Sequence, residues 1–147
     1  MALIKTEVTQ EVVDYLARHA RQDELLERVA RETAEMPRAV MATTPDEAAL
    51  LTMLARLVGA RRALEVGTFT GYGAICIARG LAEGGVLTCL EVDPEIAAVA
   101  QANVDAAGLA DRVTIRIGPA ADGIAAIPAV PQLDLVYVDA DKEGYLD

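Results

Sequence analysis

The pattern of apolar positions divides the chain into a helical first part and a second part in which strands and helices alternate. In the first part, apolar residues recur at helical spacing over residues 8–16 and again over residues 25–30. Pro37 ends this pair of helices, because proline disfavours helical backbone in the residue before it. A third helix then begins, so we divide the chain into a helical region, 1–44, and an α/β core, 45–147.

The third predicted helix has a clear start and a clear end. Thr44 suits the N-cap, Pro45 suits the first helical position, and Glu47 stands three residues after the cap, as in a capping box. Gly59 follows the last apolar residues of this helix, and glycine favours the position just after a helix C-terminus.

Four short apolar strands alternate with helices after this point. The strands are predicted at 63–66, 86–90, 113–117 and 133–138, and the helices between them at 72–82, 94–107 and 121–127. This alternation is typical of right-handed βαβ units and a parallel sheet. The strands are apolar at nearly every position, as expected when helices cover both faces of a sheet. We therefore predict an α/β fold with a parallel sheet ordered 3-2-1-4.

The composition is that of an acidic globular protein of single-domain size. The chain has 147 residues, of which 53% are hydrophobic and 3% aromatic, and its net charge is −10. A chain this acidic is poorly suited to nucleic acid or to an anionic membrane, so we expect neither as a partner. No apolar stretch approaches a membrane span or a secretory signal, and Cys76 and Cys89 resemble small buried apolar residues. We expect a cytoplasmic protein.

Polar or glycine-rich residues follow the carboxyl end of each predicted strand, where parallel α/β sheets bind their ligands. The first of these loops, 65–73, spaces its glycines as G-x-x-x-G-x-G and not as the G-x-G-x-x-G of dinucleotide sites. Glu91 ends the second strand, where an acid can accept both ribose hydroxyls of a nucleoside. The alternatives are a turn whose glycines only relieve crowding and a glutamate that is merely solvated.

The acid beside the glycine loop distinguishes two nucleoside cofactors. Glu65 would repel a pyrophosphate, whereas it suits the ammonium and sulfonium charges of S-adenosylmethionine. Asp139, Asp141 and Lys142 follow the fourth strand. Taken alone, the aspartates are suited to capping the next helix and the lysine to the surface. An NAD(P) oxidoreductase is the alternative enzyme class.

Residues 64–72 resemble motif I of the cation-dependent O-methyltransferases, the family of caffeoyl-CoA and catechol O-methyltransferases. Four further segments are similar to this family: 41–47 before motif I, 90–94 at the ribose motif, 118–120 at the adenine-side loop and 138–145 at the metal loop. The order and spacing of these segments make the resemblance specific, and it runs from about Val8 to the last residue.

The resemblance implies a Rossmann-like S-adenosylmethionine-dependent methyltransferase that acts on a hydroxyl of a small catechol-like or hydroxycinnamoyl-type aromatic. It implies a divalent cation, with Mg²⁺ expected, and a homodimer. The cofactor-binding residues that it implies are Met41, Thr43, Glu65, Gly67, Thr68, Gly73, Glu91 and Ala120. Asp139 would ligate the cation and Lys142 would lie near the substrate hydroxyl, and both are implied as catalytic. Gly73 stands where the family commonly has serine.

The catalytic domain of the family continues beyond the pattern seen in this chain, with a later Asp-Asn pair in its metal site. The fourth strand would be an exposed sheet edge, and one carboxylate is too few ligands for Mg²⁺. We therefore expect residues 1–147 to form a single, incomplete methyltransferase domain that is inactive alone. The alternative function is a non-catalytic nucleoside-binding or dimerising module.

Overall fold

The computed structural model describes residues 8–140 and residue 142, which form helices packed on a four-stranded sheet. The helices are α1 (Gln10–His19), α2 (Glu24–Ala34), a short 3₁₀ helix (Ala39–Met41), α3 (Pro45–Leu57), α4 (Tyr72–Gly80), α5 (Pro94–Ala106) and α6 (Ala120–Ala125). The strands are β1 (Arg62–Val66), β2 (Val86–Glu91), β3 (Val113–Ile117) and β4 (Leu135–Val138). Among the described helices, none combines the length and apolar character needed to cross a membrane.

The sheet is parallel throughout and has the strand order β3-β2-β1-β4. From β1 the chain continues to β2 and β3 on one side and then returns to β4 on the other side. The carboxyl ends of β1 and β4 therefore form the switch point at which such sheets bind ligands. The predicted fold class and strand order are confirmed.

The helix starts follow the prediction in part. Pro45 and Pro94 occupy first-turn positions, and the Asp93 side chain caps α5 by accepting the backbone N–H of Glu95 at 3.0 Å. Thr44 is the N-cap of α3 but makes no side-chain capping bond, so the predicted capping box is wrong. Glu47, its expected partner, accepts a hydrogen bond from a distant tyrosine instead.

Two element ends differ from the prediction, and nearby groups take up backbone hydrogen bonds at both. The α4 helix stops at Gly80, because the Ala82 N–H donates to the Ala60 carbonyl oxygen at 2.8 Å. The β4 strand begins at Leu135, and just before it the Asp134 carboxylate accepts the N–H groups of Arg61 and Arg62. The predicted helix at 121–127 begins one residue earlier and ends two residues earlier, over Ala120–Ala125.

The main core lies between β1, β2, α3 and α4, with Ile75 and Ile77 fully buried. The α2 helix contributes Leu26 and Val29 to this core, whereas α1 buries none of its residues. The prediction that helices cover both faces is wrong for the outer strands, where Ile117 is 60% exposed. The division at residue 44 stays a prediction.

Candidate functional site

The loop after β1 lies directly against the end of β4. Gly67 has a positive φ of 89°, and a Cβ there would come 2.5 Å from the Asp139 carbonyl oxygen. The Gly67 N–H donates to the Leu90 carbonyl oxygen at 3.0 Å, and the Asp139 N–H donates to the Val66 carbonyl oxygen at 2.9 Å. The glycine is required for this close approach, which brings the ends of β1, β2 and β4 together.

Two buried polar side chains near this loop each have an oxygen atom that lacks a hydrogen-bond partner. Glu65 is 1% and Thr68 4% exposed, and neither Glu65 Oε2 nor Thr68 Oγ1 has a partner. Burial raises the pKa of Glu65 to about 8, and the negative charges of Asp139 and Glu91 raise it further, whereas the Cys89 and Thr68 side chains oppose the shift. Unpartnered buried polar atoms cost free energy, so these two atoms are suited to a ligand.

Gly73 provides the space that the Glu65 carboxyl group occupies. A Cβ at Gly73 would come 2.6 Å from Glu65 Oε1 and 3.4 Å from Thr43 Oγ1. A serine at this position would therefore require the Glu65 carboxyl group to shift. The predicted residues Thr43, Glu65 and Gly73 thus lie together.

Glu91 is 9% exposed and is held by two backbone N–H groups. Its Oε2 accepts from Phe69 at 2.9 Å and its Oε1 accepts from Asp93 at 3.1 Å. The Gly118 N–H donates to the Glu91 carbonyl oxygen, which joins the loop after β3 to the same edge. Each carboxylate oxygen retains acceptor capacity, so Glu91 is able to accept ligand hydroxyls.

The remaining predicted cofactor residues lie at the border of this group. Ala120 begins α6 and packs against the small second core cluster, whereas Met41 is 49% exposed in the 3₁₀ helix. A cavity of about 470 Å³ lies between α2, the 3₁₀ helix and the start of α3, and it is lined by both Thr43 and Tyr72. This cavity therefore adjoins the first turn of α4, where Gly73 lies.

Asp139 and Lys142 lie beside each other at the carboxyl end of β4. Asp139 is 32% exposed, its Oδ2 accepts from the Tyr137 hydroxyl at 3.1 Å, and its Oδ1 is 3.6 Å from Lys142 Nζ. Within residues 8–140 and 142, no group of three or more His, Cys, Asp or Glu is arranged to hold a metal ion. Asp141 and residues 143–145, the rest of the predicted metal loop, lie outside the described residues.

Sequence reasoning missed a contact between β4 and α3 beside Asp139. The Tyr137 hydroxyl also lies 3.0 Å from Glu47 Oε1. Tyr137 and Asp139 are two residues apart along the chain, which puts their side chains on one face of the strand, and that spacing was a usable signal. Glu47 is 90 positions away and carried no local signal.

The fold and this group of residues together indicate a class of protein. A parallel α/β sheet with its glycine loop after β1 and an acid ending β2 is the arrangement of Rossmann-like nucleoside-binding proteins. The glycine spacing and the buried Glu65 differ from the dinucleotide type, in which a pyrophosphate lies on the loop.

Comparison with known proteins assigns the family within this class. The family model described as O-methyltransferase matches residues 17–147, and the chain belongs to this family. It is 42% identical over 115 residues to a catechol O-methyltransferase from Mycobacterium tuberculosis, an alignment that covers 78% of this chain and 51% of that protein. It is 31% identical to caffeoyl-CoA O-methyltransferase 1 from Zea mays, over 99% of this chain and 58% of that protein.

A solved structure gives the same result for the fold. The O-methyltransferase from Bacillus cereus in complex with SAH superposes with a TM-score of 0.82 and 34% identity, covering 90% of this chain and 62% of that one. The chain thus spans between half and two thirds of the length of these relatives.

Proposed function

We propose that this protein transfers a methyl group from S-adenosylmethionine to a hydroxyl of a small aromatic acceptor of the catechol or hydroxycinnamoyl type. The observation that carries the proposal is the pair of buried, unpartnered atoms Glu65 Oε2 and Thr68 Oγ1 beside Gly67 at the sheet edge. The names of two relatives, a catechol and a caffeoyl-CoA O-methyltransferase, support the acceptor class. The Bacillus cereus structure in complex with SAH supports the cofactor.

The cofactor fits the charges and the acceptors of the site. Glu65 and Thr68 would hold its amino-acid end, because a cation beside Glu65 favours the ionised carboxylate, whereas a phosphate would oppose it. Glu91 would accept the ribose hydroxyls with the capacity that its two backbone contacts leave. Met41, Thr43, Gly67, Gly73 and Ala120 would complete the set, and the Ala120 N–H would be the contact to the adenine. When bound, the cofactor supplies a methyl group on a positively charged sulfur.

The acceptor side is assigned to Lys142 and Asp139. Phenolic hydroxyls have a pKa near 10, so most are protonated at neutral pH and need a base before they attack. We assign that role to Lys142 from its location alone, because its Nζ lies 3.6 Å from Asp139 Oδ1 at the sheet edge beside the glycine loop. The ammonium form must lose a proton before Nζ can accept one from the hydroxyl. Holding the hydroxyl in line with the methyl group contributes the rest of the rate.

A divalent cation, Mg²⁺, is part of the proposal, with Asp139 as one ligand. Carboxylate oxygen is the donor that Mg²⁺ prefers, and Asp139 is accessible at the sheet edge. The described residues do not by themselves fit a complete cation site, because no group of three or more His, Cys, Asp or Glu among them is arranged to hold a metal ion. No step of the reaction is therefore assigned to the cation.

A homodimer and a cytoplasmic location are further parts of the proposal. The α1 helix exposes apolar side chains, among them Val13 and Leu16, which supports self-association through this helix. Sedimentation velocity would report a dimer that Leu16→Glu weakens, and a monomer at all concentrations would contradict it. The two free, buried cysteines suit a reducing compartment.

Calorimetric titration with S-adenosylhomocysteine tests the cofactor assignment. We expect binding to the wild-type protein and about 10-fold or greater weakening by Glu91→Gln, because a charged acceptor of ligand hydroxyls is lost. Glu95→Gln is the matched control, since Glu95 is exposed on the next helix. We expect no binding of NAD⁺. Absence of S-adenosylhomocysteine binding, or an equal effect of the two variants, would overturn the proposal.

A second candidate is a nucleoside-binding module without catalysis, which is favoured because the described residues include no group of three or more His, Cys, Asp or Glu arranged for the cation. Both candidates are expected to bind S-adenosylhomocysteine, and they differ in whether a methyl group is transferred. Incubation with methyl-labelled S-adenosylmethionine, catechol and Mg²⁺ separates the two. Transfer that EDTA abolishes favours the methyltransferase and overturns the expectation that residues 1–147 are inactive alone. Binding without transfer agrees with that expectation and with the module.

A further inference from the structure

The glycine loop between β1 and α4 has a backbone conformation that needs support from outside the loop. Gly67, Phe69 and Gly71 have positive φ angles of 89°, 47° and 84°. Glycine adopts such angles freely, but a phenylalanine there is strained. Strain of this kind persists only where the surrounding structure imposes it.

The support comes from two helices that both contact Thr70, the residue after Phe69. Asn103 of α5 donates from Nδ2 to the Thr70 carbonyl oxygen at 3.0 Å. Thr33 of α2 shares a hydrogen bond of 2.8 Å with the Thr70 hydroxyl. Thr33, Thr70 and Asn103 are 3%, 2% and 5% exposed, so water does not replace these bonds easily.

The orientation of the Asn103 amide is itself set by a third contact. Arg28 Nη2 donates to Asn103 Oδ1 at 3.4 Å, which leaves the Nδ2 group to face Thr70. Thr70 is therefore held at both its carbonyl oxygen and its hydroxyl, by side chains from α5 and α2. The α2 helix thus contacts the glycine loop through a buried polar group and not only through apolar packing.

The strained loop conformation has one direct consequence for the site. It aims the Phe69 N–H at Glu91 Oε2, with a separation of 2.9 Å. We propose that Asn103, together with Thr33, is a positioning residue that holds Thr70 so that the Phe69 N–H keeps the Glu91 carboxylate oriented toward a nucleoside ribose. The ribose part of this inference rests on the proposed function, whereas the link from Asn103 to Phe69 does not.

Amide hydrogen exchange in the full chain without ligand tests the link from Asn103 to Phe69. Asn103→Asp keeps the shape and removes the donor to Thr70, and we expect about 10-fold faster exchange of the Phe69 amide while the amides of β1 keep their rates. Gln101→Glu is the matched control, because it makes the same chemical change where the side chain hydrogen-bonds along α5 to Asp105. If Asn103→Asp does not fold, Thr33→Val replaces it, and we again expect faster exchange of the Phe69 amide.

A residue with a merely structural role would give a different result. Unchanged exchange at Phe69, or equal acceleration throughout the core, would overturn the inference. A second measurement is a double-mutant cycle of Asn103→Asp with Glu91→Gln, in which the affinity for S-adenosylhomocysteine is determined for each variant. We expect each single change to weaken binding and the pair to be less than additive, because both act through Glu91. Full additivity would also overturn the inference.

The two proposals fail in distinguishable ways. If the wild-type chain does not bind S-adenosylhomocysteine, the proposed function is overturned, and the Phe69 exchange rates alone then support or overturn the link from Asn103. If binding is normal but Phe69 exchange does not respond to either variant, the positioning role is overturned and the proposed function stands.

Discussion

Two regions of this protein have the same strand–helix connectivity and very different burial. In the unit β1–α4–β2, every residue of α4 except Arg79 is buried, and Glu65 on β1 is 1% exposed. In the unit β3–α6–β4, α6 buries none of its residues and Val136 on β4 is 49% exposed. Alternation of strands and helices therefore does not by itself create a closed core.

The difference matters because the candidate site lies where the two regions meet. Gly67 from the buried unit touches the backbone of Asp139 from the exposed unit. The buried unit supplies Glu65, a carboxyl group whose pKa burial raises to about 8, suited to a cationic ligand. The exposed unit supplies Asp139 and Lys142, charged groups that an acceptor is able to reach.

The largest expected effect is the loss of an isoleucine from the buried unit. Ile77→Ala removes a fully buried side chain and leaves a cavity, so we expect a loss of about 3 kcal/mol in the free energy of unfolding. Ile117→Ala is the matched change on β3, where the side chain is 60% exposed, and we expect a loss within about 0.5 kcal/mol. Urea unfolding measures both. Equal losses would remove the distinction between the two regions.

A smaller effect is expected from pH, through Glu65. Its pKa is about 8 in the folded chain and 4.5 ordinarily, so between these values the folded state keeps a proton that the unfolded chain has lost. Stability conferred by the protonated form is therefore lost as pH rises through this window, with a steepest slope of about 1.4 kcal/mol per pH unit. Glu65→Gln cannot titrate, so its stability relative to wild type should rise from pH 6 to pH 7.

The control for this pH effect is Glu95→Gln on the exposed surface of α5. Urea unfolding at each pH should give this variant the same slope as the wild type, so the difference between the two variants isolates Glu65. A constant difference between Glu65→Gln and wild type over this range would contradict the assignment of a raised pKa to that residue.

The smallest expected effect lies in the exposed unit, at Tyr137. Burial raises the pKa of Tyr137, and the Glu47 and Asp139 carboxylates that contact its hydroxyl raise it further. Tyr137→Phe removes these hydrogen bonds, and we expect a loss of about 1 kcal/mol by urea unfolding. Tyr15→Phe on the exposed α1 helix serves as the control, with a change within about 0.5 kcal/mol. A loss as large as that of Ile77→Ala would contradict the expected difference between the two regions.

Much of the fold was accessible from the residue pattern because its signals are local. The predicted first three strands lie within one residue of the observed ones, since each is a short apolar run between turn residues. The fourth was predicted to begin two residues too early, and the residue just before the observed strand, Asp134, bonds to Arg61 and Arg62, more than 70 positions away. The predicted capping box was wrong because Glu47 instead accepts a hydrogen bond from Tyr137, which is distant along the chain.

For the site, the chain order was enough to bring Glu65, Gly67 and Glu91 to one edge, because parallel strands have their carboxyl ends on the same side. Packing alone set the chemical state of those residues: Glu65 carries a raised pKa because α4 and the neighbouring strands exclude water from it. Packing also determines the hydrogen-bond partners of Glu91 and Thr70. Hydrogen bonds between distant segments depend on distances of a few ångströms, which cannot be read from residue spacing along the chain.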